Sequence, residues 1–146
     1  CPVTLDQQLC FTVHKLARQF DQLYRPILTK HAITYPQYLV LLVLWKNDRL
    51  TVTEIGNQLK LDSGTLSPML KRMEKSELIV RKRALTDERR VVIALSDTGR
   101  ALEEALKNDV ADCFAAFKLP VTKESEILIK LNELSKLLNE GSLKNE

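Results

Sequence analysis

Three cysteines are the residues of this chain that could do covalent chemistry: Cys1, Cys10 and Cys113. Their odd number and the lack of a CxxC pair argue against a secreted disulfide scaffold and against a dithiol redox motif. A cysteine reacts as the thiolate, which nearby hydrogen-bond donors stabilise, whereas a cysteine buried on an apolar helix is inert. Residue type alone leaves both interpretations open.

The other residues that bind metals or cofactors are sparse. The two histidines, His14 and His31, lie far from any second candidate ligand in the sequence, so we expect no metal and no cofactor. Glycine accounts for 4 of 146 residues, and no GxGxxG, Walker or GxSxG motif occurs. The sequence therefore predicts a protein that is not an enzyme.

Charge is the second chemical feature. The net charge is only +3, but residues 71–90 contain eight basic and four acidic side chains, a local excess of +4. The remainder of the chain sums to −1. A single cationic window of this kind is typical of a surface that faces nucleic-acid phosphates.

Length and composition define the protein that must position these residues. A chain of 146 residues that is 45% hydrophobic and 28% charged is expected to form one globular domain. The longest apolar run, residues 38–45, spans eight residues, whereas a bilayer helix needs about 20. We therefore expect a cytoplasmic protein that does not cross a membrane.

Helical periodicity marks the N-terminal third. Apolar residues recur there at three- and four-residue steps: Leu5, Leu9, Val13, Leu16, Phe20, Leu23 and Ile27. This stripe predicts a long amphipathic helix that Pro26 should kink or end. A second helix is predicted to begin near Tyr35 and Pro36, to run through the apolar segment and to break at Asn47 and Asp48.

The middle of the chain predicts a winged helix-turn-helix. A short helix beginning at Thr51 or Thr53 is followed by a turn at residues 61–64, where Asp62 or Ser63 can cap a second helix reaching about Lys75. Pro68 predicts an irregular first turn in that second helix. Residues 79–83 and 91–95 are rich in β-branched side chains and predict a hairpin around a polar segment, residues 84–90.

Two further helices are predicted at the C-terminal end. Ser96 can cap the first, whose apolar stripe is Leu102, Leu106, Val110, Cys113 and Phe117. Pro120 separates it from the last, with Ile127, Leu131, Leu134 and Leu138. Residues 5–34 and 96–146 expose more apolar surface than one chain can easily cover, which predicts a homodimer.

This order of elements, together with Asp87-Glu88-Arg89 in the wing and Leu95-Ser96-Asp97-Thr98-Gly99 after it, resembles the MarR family of transcriptional regulators. The segments 9–11, 23–26, 33–40 and 61–74 are similar to its organic-hydroperoxide-sensing OhrR branch. The resemblance implies one MarR-like domain over residues 1–146, mainly α with a small β-hairpin, in which residues 50–95 form the DNA-binding region. It implies a homodimeric repressor that organic hydroperoxides release from DNA.

The resemblance also implies roles for individual residues. Cys10 would be the cysteine that a hydroperoxide oxidises, and Tyr24 and Tyr35 would hydrogen-bond to its sulfur. Cys113 matches the helix that carries the second cysteine in two-cysteine members, which implies an intersubunit disulfide with Cys10. Because Cys10 and Tyr24 are 14 residues apart, roughly 21 Å along one straight helix, we expect the pocket to combine both chains.

The DNA-contacting residues follow from the predicted motif. Small polar and basic groups occupy the exposed face of its second helix: Ser63, Thr65, Ser67, Lys71 and Arg72. Arg81, Lys82 and Arg83 are predicted to neutralise phosphates. Arg89 is predicted to enter the minor groove of a pseudo-palindromic operator, with Asp87 orienting it.

Two other functions are compatible with these residues. A regulator of the broad MarR type could respond to a small aromatic ligand without thiol chemistry, and alkylation of the thiols would leave that response intact. A thiol peroxidase could use Cys10 and Cys113, but it would need multiple turnover with a reductant. Peroxide consumption at catalytic protein concentration distinguishes that enzyme from a sensor.

Overall fold

The structure is a computed structural model that describes residues 4, 8–84, 87–118 and 120–143, with the backbone alone for residues 84, 87–89, 121, 142 and 143. The chain divides into two compact units, Cys1–Val110 and Ala111–Glu146. Cys1 and Leu5 lie outside the described residues.

The fold is mainly α-helical with one small antiparallel sheet, as predicted. Its elements are α1 (Leu9–Lys30), α2 (Tyr35–Lys46), β1 (Leu50–Thr51), α3 (Val52–Leu59), α4 (Ser63–Lys75), β2 (Ile79–Ala84), β3 (Asp87–Leu95), α5 (Asp97–Ala115) and α6 (Val121–Leu143). The sheet order is β1-β3-β2, with Leu50 opposite Ile93 and Arg81 opposite Ile93 from the other side. Helices α3 and α4 with the β2–β3 hairpin form the predicted winged helix-turn-helix.

The apolar segment of α2 lies at the centre of the first unit. Val40, Leu41 and Leu44 are fully buried, and they belong to one cluster with residues of α3, α4, the hairpin and α5. A capping box starts this helix, since Thr34 Oγ1 accepts from the Gln37 N–H while the Gln37 side chain accepts from the Thr34 N–H. The sequence therefore locates the start of α2 correctly.

Three local predictions are wrong in detail. Of the kink or end predicted at Pro26, the end is wrong, since α1 continues for four residues to Lys30 and buries Leu28 in that last turn. Pro68 lies inside α4, which is α-helical from Ser63 onward without the irregular first turn that we expected. The polar segment of the wing is shorter than predicted, because β3 begins at Asp87, which pairs with Ala84.

The second unit contains the end of α5 and the helix α6. Phe114 and Phe117 stack edge to face there, with ring centroids 6.1 Å apart. Across both units, none of the described helices is by itself long and apolar enough to cross a bilayer, and only α1 with α2, bent by 74°, pass that test as a pair.

Candidate functional site

Side-chain caps fix the starts of α3 and α4, the two helices of the helix-turn-helix. Thr51 Oγ1 accepts from the Glu54 N–H at 3.2 Å, and Asp62 Oδ1 accepts from the Thr65 N–H at 2.7 Å. The hydrogen bond from the Thr65 backbone lowers the pKa of Asp62 below its ordinary value. The carboxylate therefore stays charged at the positive end of α4, as the sequence predicts for a cap at this position.

The turn between the two helices depends on close backbone approach. Lys60 ends α3 in the left-handed conformation with φ 57°, and the Leu61 N–H donates to the Gly56 carbonyl at 3.0 Å. A Cβ atom on Gly56 would lie 2.7 Å from the Leu61 carbonyl oxygen, too close for any side chain. Glycine at this position therefore sets the angle at which α4 is presented.

Helix α4 divides its residues between the core and a polar face. The buried residues are Leu66, Met69, Leu70 and Met73. Of the residues predicted to face DNA, Ser63, Thr65, Lys71 and Arg72 are exposed. Ser67 is half-buried and lines a cavity together with residues of the hairpin.

Glu74 fastens the hairpin to α4, a role that nothing in the local sequence indicates. The Arg81 N–H donates to Glu74 Oε2 at 3.2 Å. Because β2 is an edge strand, it would otherwise leave backbone groups of this kind unpaired. The Glu74 carboxylate therefore joins α4, the second helix of the helix-turn-helix, to the β2–β3 hairpin.

The three consecutive cations of β2 are not equivalent. Lys82 and Arg83 are exposed, as expected of residues that neutralise phosphates. Arg81 is half-buried, and its Nε atom is buried without a hydrogen-bond partner among the residues that the structure describes. The side chains of Asp87 and Arg89 lie outside the described part of the chain, so their roles stay predictions.

The two sulfurs are free thiols in different surroundings. Cys10 is exposed in the first turn of α1, and Cys113 is half-buried near the end of α5. Within the described residues, no cluster of histidine, cysteine and carboxylate side chains could hold a metal ion. An exposed Cys10 is accessible to an oxidant in solution.

The structure brings the two predicted tyrosines together. The Tyr24 and Tyr35 ring centroids are 5.2 Å apart, and the ring centroid of the buried Tyr38 lies 5.8 Å from that of Tyr24. Burial raises the pKa of Tyr38, and the neighbouring Tyr35 raises it further. Cys10 and Tyr24 lie on the same helix, 14 residues apart.

The family follows from sequence comparison. A family model described as Transcriptional regulator SarA/Rot matches residues 22–106, more than half of the chain. The chain belongs to the SarA/Rot family of transcriptional regulators.

Two curated relatives support this assignment over much of the chain. TtmR, an HTH-type transcriptional regulator of Methylorubrum extorquens, is 47% identical over 146 residues, 99% of this chain and 70% of the relative. The organic hydroperoxide resistance transcriptional regulator of Bacillus subtilis is 54% identical over 100 residues, 68% of either chain. The resemblance to the organic-hydroperoxide-sensing branch is thereby confirmed.

Solved structures confirm the winged-helix fold. Reduced AbfR bound to DNA matches with a TM-score of 0.83 at 39% identity, covering 93% of each chain. Disulfide-formed AbfR matches with a TM-score of 0.72 at 39% identity, covering 92% of this chain and 91% of that one. AbfR comes from Staphylococcus epidermidis.

Two helices of this SarA/Rot regulator carry exposed apolar side chains. On α1 these are Leu9, Val13, Leu16 and Phe20, and Phe20 is 48% exposed. On α6 they include Ile127, Leu131 and Leu138. Both sets belong to the stripes from which the sequence predicts a dimer interface.

Asp48 ties the base of the wing to α5. Its Oδ1 accepts from the N–H groups of Arg49 at 2.8 Å and Leu95 at 2.9 Å, and its Oδ2 accepts from Arg100 at 3.1 Å. Partial burial raises the pKa of Asp48, but the hydrogen bonds from Leu95, Arg49 and Arg100 together outweigh burial and leave the pKa below its ordinary value. The sequence indicates only a helix break at this position, because Leu95 and Arg100 are distant along the chain.

Proposed function

We propose that this protein is a DNA-binding transcriptional repressor that acts in the cytoplasm as a homodimer and senses organic hydroperoxides through Cys10. The observation that carries the proposal is a free, exposed thiol at the start of a helix on a winged-helix chain. The 54% identity to the Bacillus organic hydroperoxide resistance regulator supports the choice of oxidant.

The DNA contact uses the polar face of α4 and the wing. Ser63 and Thr65 stand at the start of the reading helix, where small polar groups can approach base edges in the major groove. Lys71, Arg72 and Lys82 are exposed cations around it and meet phosphates. Arg89 at the wing enters the minor groove, and Asp87 orients it.

A second copy of the chain covers the exposed apolar residues of α1 and α6. Leu9, Val13 and Phe20 present an apolar row to solvent, and apolar surface of this extent is removed from water when two chains pack together. A two-fold dimer also presents two reading helices to two half-sites of a pseudo-palindromic operator, about 34 Å apart.

The pocket around the sulfur combines residues of two protomers. Cys10 and Tyr24 are separated by 14 residues of one helix, roughly 21 Å, so they cannot meet within a chain. The tyrosine pair of one protomer, Tyr24 with Tyr35, instead donates hydrogen bonds to Cys10 of its partner. Donors of this kind favour the thiolate, which is the reactive form.

Oxidation proceeds in two balanced steps. The Cys10 thiolate attacks the distal oxygen of the hydroperoxide and takes up that oxygen, the O–O bond breaks, and one proton completes a sulfenic acid and an alcohol. The Cys113 thiol of the partner then attacks the sulfenic sulfur, forming the disulfide and releasing water. A disulfide requires Cα atoms within about 7 Å, so if Cys10 and the partner's Cys113 are farther apart in the reduced dimer, its formation moves helices and alters the spacing of the two α4 helices.

The test compares DNA binding by reduced protein before and after one equivalent of cumene hydroperoxide. The DNA is a fluorescent duplex selected from a random pool by the reduced protein. Wild type is expected to bind and then to release, whereas Cys10→Ser binds and does not release. Release that persists in Cys10→Ser would remove Cys10 as the sensor.

Cys113→Ser separates the two oxidation steps. It should form the sulfenic acid but no disulfide-linked dimer on a non-reducing gel, and its oxidised form should differ from wild type in release and in recovery with thiols. A Cys113→Ser protein that releases DNA and recovers as wild type does would remove the intersubunit disulfide from the mechanism.

A further inference from the structure

Three tyrosine rings form a compact triangle where α1 meets α2. Tyr24 belongs to α1, whereas Tyr35 and Tyr38 belong to the start of α2. The ring centroids are 5.2 Å apart for Tyr24 and Tyr35, 5.8 Å for Tyr24 and Tyr38, and 6.1 Å for Tyr35 and Tyr38. All three separations lie in the range of favourable aromatic pairs. Tyr38 therefore contacts both tyrosines of the proposed sulfur pocket.

The three rings differ in exposure. Tyr35 is 37% exposed and Tyr24 is half-buried, so this pair lies toward the protein surface. Tyr38 is only 5% exposed and belongs to the hydrophobic core. Because protein interiors are close-packed, a buried ring in this place restricts the inward rotation of its two neighbours.

Trp45 holds Tyr38 from further along α2. The two rings pack edge to face at an interplanar angle of 69°, with their centroids 6.4 Å apart. The Trp45 Nε1–H donates to the Gly99 carbonyl of α5 at 3.0 Å, which fixes the plane of the indole ring. The row of rings behind the tyrosine pair is thereby anchored to a second helix.

Tyr38 acts on its neighbours without a charge. Burial raises the pKa of Tyr38, and the neighbouring Tyr35 raises it further. Since the ordinary value is already near 10, the Tyr38 phenol is neutral at pH 7. Its contribution at that pH is therefore the volume and shape of the ring.

We propose that Tyr38 is a positioning residue for the oxidation of Cys10, because its ring holds Tyr24 and Tyr35 in the orientation in which both donate to the partner's Cys10. A hydrogen bond weakens steeply as its angle departs from linearity, so rotation of either ring loses a donor. Fewer donors to the sulfur leave less thiolate. The inference rests on the sulfur pocket proposed above and adds a residue that acts through its two tyrosines.

The first test compares two substitutions of Tyr38 in the reduced dimer. The rate of Cys10 alkylation by iodoacetamide is followed against pH by mass spectrometry of the Cys10 peptide. Tyr38→Leu removes the ring and should raise the pH of half-maximal rate by about one unit, which is a tenfold change in the thiolate equilibrium. Tyr38→Phe keeps the ring and should behave as wild type does.

Oxidation by cumene hydroperoxide at pH 7 supplies a second readout. Tyr38→Leu should slow the oxidation of Cys10 about fivefold, because the higher nucleophilicity of a more basic sulfur only partly offsets the smaller thiolate fraction. Tyr38→Phe should again match wild type. Equal losses in Tyr38→Phe and Tyr38→Leu would overturn positioning by the ring.

Two controls separate positioning from a general loss of stability. Ile55→Val opens a cavity in the same core from α3 and should leave the alkylation profile unchanged. In a protein that already carries Tyr24→Phe and Tyr35→Phe, Tyr38→Leu should have no further effect, because the hydroxyl groups that its ring positions are gone. An undiminished effect in that background would overturn the inference.

Trp45→Phe keeps the test decisive if Tyr38→Leu fails to fold. It retains an aromatic ring but loses the bond to Gly99, and it should shift the alkylation profile in the same direction by a smaller amount. Wild-type profiles in the folded variants of Tyr38 and Trp45 would overturn this inference alone, provided that Tyr24→Phe with Tyr35→Phe shifts the profile. If that double variant also matches wild type, the proposed sulfur pocket is overturned as well.

Discussion

Gly99 lies where α5 passes over the start of the wing, and replacing it by alanine tests how tightly these elements pack. A Cβ atom there would lie 2.1 Å from the Leu78 carbonyl oxygen and 3.3 Å from a methyl carbon of Leu95. Ordinary contact begins at 3.4 Å, so α5 and the Leu78 backbone would have to separate by 1.3 Å. Since the nearest atom belongs to the backbone, no side-chain rotation can relieve the clash.

Two opposing effects set the change in unfolding free energy that Gly99→Ala causes. Alanine is favoured over glycine within a helix by about 1 kcal/mol. Overpacking costs about 1–3 kcal/mol, and the separation would weaken bonds worth about 1 kcal/mol each. These are the Trp45 Nε1–H bond to the Gly99 carbonyl at 3.0 Å and the Ser96 N–H bond to the Leu78 carbonyl at 3.2 Å. The cost of the clash exceeds the gain in helix preference, and we expect Gly99→Ala to lower the free energy of unfolding by about 2–4 kcal/mol.

The assay is urea unfolding at one fixed protein concentration, because self-association shifts apparent stability. Gly141→Ala in α6 is the matched control, since nothing lies within 4 Å of a Cβ at Gly141. That substitution should be neutral or stabilising by up to about 1 kcal/mol. If both substitutions changed the free energy of unfolding equally, with the slope of that free energy against urea concentration unchanged, the packing of α5 against Leu78 would be refuted.

Three further predictions concern the wing and the apolar face. Because the pKa of folded Asp48 is lowered, the stabilisation by its carboxylate is present above the unfolded pKa of about 3.9 and is lost as pH falls through the folded value. Urea unfolding should therefore find Asp48→Asn less stable than wild type at pH 7, with a smaller difference in unfolding free energy at pH 3. A difference that is the same at both pH values would contradict this. Glu74→Gln keeps an acceptor for the Arg81 N–H, so fluorescence anisotropy should find it binding DNA about fivefold tighter than Glu74→Ala, a difference of about 1 kcal/mol. Equal binding by the two variants would mean that the charge of Glu74 matters and its hydrogen bond does not. Phe20→Glu should raise the dimer dissociation constant at least about tenfold in analytical ultracentrifugation, because a buried Phe contributes about 1.5–3 kcal/mol; an unchanged constant would place the dimer contact elsewhere.

Local patterns predict the elements of this protein well. Thr51 and Asp62, each one of two candidates that the sequence offers, are the residues that cap α3 and α4, because a cap depends only on residues within one turn. Leu66, Leu70 and Met73 are buried as the helical period requires. The exposed polar residues of α4 follow from the same period.

Features that depend on distant residues are where sequence reasoning fails. Pro26 stays within α1 because the turn that follows it buries Leu28, and such packing can offset the missing backbone bond. Residues from Asp87 onward look like a loop by composition, but pairing with β2 extends them into a strand. Neither Glu74 with Arg81 nor Asp48 with Leu95 has a local signal, since each bond closes between different elements.

One titration shows whether oxidation of the Cys10 sulfur controls DNA binding. Reduced wild type and Cys10→Ser are each bound to the selected fluorescent duplex, and anisotropy is followed as cumene hydroperoxide is added. Wild type should release the duplex at about one equivalent per protomer and bind again after dithiothreitol is added, whereas Cys10→Ser should stay bound throughout. Equal release from both proteins would contradict control by Cys10. So would a wild type that stays bound when mass spectrometry shows its Cys10 to be fully oxidised.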